Sequence, residues 1–92
     1  MNVFVSDPIY VGNLHGDTLT MEGGFDNVRI PSFNSSGERI NINNFYEDRT
    51  FGPISDSVEY IMIWRLTDTA LPSSIHFKVT DSSDNLLFEY KN

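Results

Sequence analysis

Turn-forming residues interrupt this chain so often that long helices have little room to form. Asp7-Pro8, Gly12-Asn13, His15-Gly16-Asp17, Gly23-Gly24, Ser35-Ser36-Gly37, Gly52-Pro53, Leu71-Pro72 and Asp81-Ser82-Ser83-Asp84-Asn85 all carry turn chemistry, and between them sit patterned runs of 4–9 residues. Glycine and asparagine accept positive φ, and proline fixes φ while removing a donor, so each cluster reverses or breaks the chain. Short runs between closely spaced breakers are the pattern of strands. The expected fold is all-β, a small antiparallel β-sandwich or partly open barrel, with an irregular segment around residues 31–57. Ninety-two residues make one domain, 1–92. A chain of this size hides only about 60–65% of the surface its unfolded form exposes. Its 39% hydrophobic and 13% aromatic residues still supply a core rather than a disordered segment.

The C-terminal third is the most regular part of the pattern. From Ile75 to Thr80, Ile75, Phe77 and Val79 alternate with His76, Lys78 and Thr80, and from Leu86 to Tyr90, Leu86, Phe88 and Tyr90 oppose Leu87 and Glu89. A five-residue Asp/Ser/Asn loop joins the runs, with Asn85 suited to positive φ, so a hairpin is expected here. Shorter strands are expected at Val3–Val5, Ile9–Val11, Thr18–Met21 and Phe25–Ile30, with a weak one at Arg39–Asn43 or a single turn near Phe45. The run Val58–Leu66 reads two ways. As a strand it places Val58, Tyr60, Met62, Trp64 and Leu66 on one face and Ile61 and Ile63 on the other. As a helix it has Asp56 and Glu59 at capping-box spacing before a Val58, Ile61, Met62, Leu66 stripe. Enrichment in β-branched and aromatic residues favours the strand, and Trp64 is then expected near the middle of the core.

Composition removes several functions. Without cysteine there is no disulfide framework, zinc–thiolate site or thiol nucleophile. The opening MNVFVSDPIY has no basic n-region or long apolar stretch, and VEYIMIWRL is too short to span a bilayer as a helix. The expectation is a soluble protein, intracellular or a virion component, without membrane contact. Net charge is −7, with only Arg29 and Arg39 facing seven carboxylates among residues 1–48. No basic stripe exists, so direct nucleic-acid binding is not expected. Acidity of this degree serves solubility.

Motifs that carry chemistry are missing. His15 lies in a turn and His76 on the polar side of a strand, and no H-E-x-x-H pairing accompanies either. No serine occupies a G-x-S-x-G elbow. The carboxylate pairs Glu22/Asp26 and Glu47/Asp48 sit in turn-like segments, and so small a chain struggles to enclose a sugar. Asp81, Asp84 and Asn85 lack the central glycine and terminal glutamate of a calcium loop, and Gly23-Gly24 lacks a phosphate-loop context. Neither catalysis, a metal nor a cofactor is expected.

The segment Asn43–Pro53 remains. Phe45, Tyr46, Glu47, Asp48, Arg49 and Phe51 set aromatic and guanidinium groups among acids, the composition of interface hot spots. The competing reading tucks Phe45 and Phe51 into the core, leaving Tyr46 and Arg49 as contacts. The expected function is a non-enzymatic module that docks on another protein, as an inhibitor or accessory subunit. Phage and mobile-element inhibitors offer a compositional analogy. The alternatives are a structural subunit that self-associates through an edge strand, and a small-ligand module for carbohydrate or calcium. No motif is specific enough to place the chain in a family.

Overall fold

The computed structural model describes residues 2–23, 28–46, 49–67 and 76–91, and shows an all-β, two-sheet structure. Its strands are β1 (Asn2–Val5), β2 (Ile9–Tyr10), β3 (Leu19–Gly23), β4 (Val28–Phe33), β5 (Arg39–Tyr46), β6 (Arg49–Phe51), β7 (Tyr60–Ile61), β8 (Trp64–Thr67), β9 (His76–Asp81) and β10 (Leu86–Lys91). The first sheet runs β1-β8-β4-β7-β2, with β5 on the other side of β4, and the second runs β10-β9-β3-β6. Every strand pairing is antiparallel. No helix in the described residues is long and apolar enough to cross a membrane.

Two neighbouring strands of the first sheet are broken at the same level, and one side chain closes the gap. β1 and β2 are separated by Ser6–Pro8, and β7 and β8 by Met62–Ile63. Pro8 cannot donate to a ladder, so a break beside it is expected. Ser6 donates its N–H to the Ile63 carbonyl at 3.0 Å, and its Oγ accepts from the Ile63 N–H at 2.8 Å. Both polar groups of a buried residue are satisfied by one serine, and the sheet curls there without an orphaned amide. Pro31 lies within β4, at a shift of register between Arg29 and Pro31, and its carbonyl accepts from the Met62 N–H.

The core lies between the sheets. Phe4, Ile9, Val11, Val28, Ile30, Ile61 and Ile63 from the first meet Leu19, Met21, Phe51, Phe77 and Val79 from the second. Edge-on contacts of Phe4 with Phe77, at 5.5 Å, and with Tyr90, at 4.5 Å, join β1 to β9 and β10. The chain passes from β5 at one edge of the first sheet to β6 at one edge of the second. β1 and β10 are the opposite edges.

Three expectations need correction. Residues 31–57 are not mostly irregular: β4 continues to Phe33, β5 is eight residues long, and β6 follows. The Asn34–Glu38 turn joins β4 to β5. Asn34 Oδ1 accepts from the Ser36 and Glu38 amides, and Gly37 takes φ +78°, which disfavours a side chain there. The Val58–Leu66 run is strand rather than helix but divided, and its faces are reversed: Ile61 and Ile63 are buried while Tyr60, Met62 and Trp64 are half-buried. Trp64 is therefore outside the core, with the Arg39 guanidinium 5.6 Å from its ring.

The C-terminal hairpin forms as expected, with two local differences. Leu86 is opposite Thr80 and Phe88 opposite Val79, so a shift of register falls between them. Leu86 is left 55% exposed while Leu87, Phe88 and Tyr90 pack on the core. Positive φ is taken by Asp84 rather than Asn85. Asn85 instead donates both its amide and its side-chain Nδ2 to Asp81. Of the expected Phe25–Ile30 strand, Phe25, Asp26 and Asn27 lie outside the described residues, as does Ile75 of the hairpin.

Candidate functional site

The outer face of the first sheet is where apolar side chains remain in contact with water. Alternation along β1 sends Phe4 inward and leaves Val3 and Val5 outward, 51% and 43% exposed. Val5 is in register with Trp64, and Trp64 with Arg29. One row further along, Tyr10 is in register with Tyr60, and Tyr60 with Phe33. The Tyr10 and Tyr60 rings meet edge to face at 5.3 Å, and Tyr10 is 51% exposed.

An open groove of about 470 Å³ lies beside this row, lined by Pro8, Phe33, Tyr60 and Met62 together with Asn34, Ser35 and Gly37 of the β4–β5 turn. Pro8 and Met62 belong to the two strand breaks, so the hollow sits where the sheet curls. The turn that contributes to its lining is braced by Asn34, a preformed boundary that needs little ordering on contact. Acidic residues neighbour the lining residues in the chain: Asp7 precedes Pro8, Glu38 follows Gly37 and receives Asn34 Nδ2 at 3.4 Å, and Glu59 precedes Tyr60.

Glu59 also organises the rim. Its backbone N–H donates to Phe33 and its carbonyl accepts from Val11, tying β2 to β4. The Tyr10 phenol donates to its carboxylate; partial burial of the phenol, with the Glu59 charge and hydrogen bond, raises the Tyr10 pKa above its ordinary value. Gly12 makes the approach feasible, because a Cβ there would collide with the Glu59 carboxylate and the Tyr10 hydroxyl. His15 joins from the far side, with Nε2 2.9 Å from the Val58 carbonyl and 3.6 Å from Glu59, and Nδ1 3.8 Å from Asp56. His15 is thus a fastener between the 3-10 turn Gly12–Leu14 and the segment before β7, rather than an isolated turn residue. No cluster of three or more His, Asp or Glu among the described residues has the geometry of a metal site.

The residues singled out by sequence are distributed differently. The β5 backbone places Phe45 in register with Arg29 and Tyr46 with Val28, and the β6 backbone places Arg49 in register with Met21. Glu47 and Asp48 lie outside the described residues. Phe51 is only 4% exposed and belongs to the core, the competing reading for that side chain. Tyr10, Tyr60, Phe33 and Met62 were not anticipated. For Tyr60 and Met62 the available signal was the run Val58–Leu66, apolar on both faces; Tyr10 and Phe33 lie outside it. Comparison of the chain with protein-family models, with curated proteins and with solved structures finds no match.

Proposed function

We propose that this protein is a non-catalytic binding module that docks on another protein through the outer face of its first sheet. The observation that carries the reading is the row Tyr10–Tyr60–Phe33 beside the groove of Pro8 and Met62, on the same outer face as Val3 and Val5, with Tyr10 and Val3 51% and Val5 43% exposed. Contiguous apolar surface framed by polar groups is characteristic of interaction sites, and tyrosine gives large contact area at low ordering cost. The partner chemistry follows from the rim. Asp7, Glu38 and Glu59 on a chain of net charge −7 suit an apolar segment flanked by lysine or arginine. An inhibitor or an accessory subunit would use such a surface equally well.

A carbohydrate module would want a planar aromatic platform open to solvent. The only tryptophan is half-buried under Arg39, which favours the protein partner. The test is a binding titration with the purified native partner. Tyr60→Ala combined with Met62→Ala should weaken binding at least about tenfold, equivalent to about 1.4 kcal/mol. Unchanged affinity, with the fold intact by circular dichroism, would move the docking surface elsewhere, with the 43–53 segment next in line.

A further inference from the structure

We infer that the β10 edge pairs with the β10 edge of a second copy, antiparallel across a two-fold axis at Tyr90. Among the described residues β10 is an outer strand of the second sheet, with no strand beyond it. An unpaired edge offers a row of amides and carbonyls to another strand, and a segment without proline is open to that addition. Phe88 and Tyr90 pack against the core yet stay only half-buried, with no strand beyond β10 among the described residues. Phe4 stacks edge-on against Tyr90, so the β1 edge of the first sheet lies beside the same opening.

Charge selects both the partner and the register. Across the outer face of the second sheet, Glu22 is in register with Lys78 and lies 3.8 Å from it, and Lys78 is in register with Glu89. The row therefore alternates in sign and reaches the free edge at Glu89. Pairing in which Tyr90 meets its own copy sets Glu89 opposite Lys91 of the second copy, twice, by symmetry. The alternation then continues without a like-charge contact. Centring the axis on Glu89 instead would oppose two carboxylates, and centring it on Phe88 would leave Glu89 opposite Leu87. Opposite charges directly across a ladder stabilise it, and like charges do the reverse. In the favoured register Tyr90 meets Tyr90 on the core side, so the aromatic cluster of Phe4, Phe77, Phe88 and Tyr90 becomes continuous with its copy. A contact this short makes a reversible dimer rather than an obligate one.

The test is sedimentation velocity of the full chain over roughly the micromolar to millimolar range. The wild type should pass from monomer to dimer. Glu89→Lys and Lys91→Glu should each weaken the dimer at least about tenfold, since each creates two like-charge contacts. Mixing these two variants in equal amounts should restore a heterodimer, and the double exchange Glu89→Lys with Lys91→Glu should restore the homodimer. Circular dichroism of each variant checks the fold, and the mixture keeps the test decisive because both components are the impaired chains. A wild type monomeric throughout would overturn the inference. So would a dimer indifferent to either single exchange, or one that neither the mixture nor the double exchange restores.

Discussion

The two sheets share one core but turn opposite outer faces to water. On the second sheet that face carries Thr20 bonded to Thr50, Lys78 near Glu22, and His76 bonded to Glu89 at 2.6 Å, with Leu86 its one large exposed hydrophobic among the described residues. On the first it carries Val3, Val5, Tyr10, Tyr60, Met62 and Trp64, with polar groups mostly around the border. A sheet covered on one side needs apolar residues only on that side. The second sheet obeys this rule and the first does not. Core packing therefore accounts for the inner faces of both sheets, and for nothing on the outer face of the first.

The largest effects should fall on the inner faces, where the sheets are alike. Phe77→Ala, removing a ring 1% exposed, should cost about 3–5 kcal/mol, which a domain of this size can barely sustain. Chemical denaturation measures it, and a loss below about 1 kcal/mol would mean that the aromatic cluster is not a shared core. Next comes the curl that hollows the first sheet. Ser6→Ala would leave the buried Ile63 amide without its acceptor and should cost about 1–3 kcal/mol. A neutral result would show that the break in the two strands does not depend on this serine.

The asymmetry between the faces also explains which parts of the fold were legible in the sequence. The β9–β10 hairpin was readable because Phe77 and Val79 alternate with His76 and Lys78, so parity names the inner side. Val58–Leu66 was unreadable in the same terms. With Ile61 and Ile63 on one side and Tyr60, Met62 and Trp64 on the other, parity marks a strand but not its direction. Burying Trp64 was the natural choice, and the smaller isoleucines took that place. The ambiguity came from the outer-face residues themselves, so the feature that hid the orientation is the one that marks the candidate site. β5 was read only as a weak strand at Arg39–Asn43, for another reason: Asn41, Asn43 and Asn44 lower its strand propensity, and the tertiary pairing with β4 overrides that. Composition of the 43–53 segment could not show that Phe51 would be claimed by the core.

Acid should separate the sheets more gently. Hydrogen bonds from the Asn85 side chain and amide hold the Asp81 carboxyl below its ordinary pKa, and the His76 hydrogen bond lowers that of Glu89. A carboxyl with a lowered folded pKa stabilises the native state above its unfolded pKa, and that contribution disappears as pH falls through the folded value. Both groups lie on the β9–β10 hairpin. Lowering the pH through and below the ordinary carboxyl range should therefore shift the Ser83 and Asn85 amide resonances, whose acceptor is Asp81, while the Ser6 and Ile63 amides stay in place. Equal changes at both sites would deny that the second sheet is the charge-dependent one.

Photo-crosslinking inside the native cell tests the central claim most directly, comparing a crosslinking residue in place of Tyr10 with one in place of Lys78. Both positions are on outer faces, one on each sheet. The account predicts a discrete protein adduct through position 10, lost when Tyr60→Ala and Met62→Ala are added, and no corresponding adduct through position 78. An adduct through position 78 alone, or one through position 10 that survives those substitutions, would contradict it.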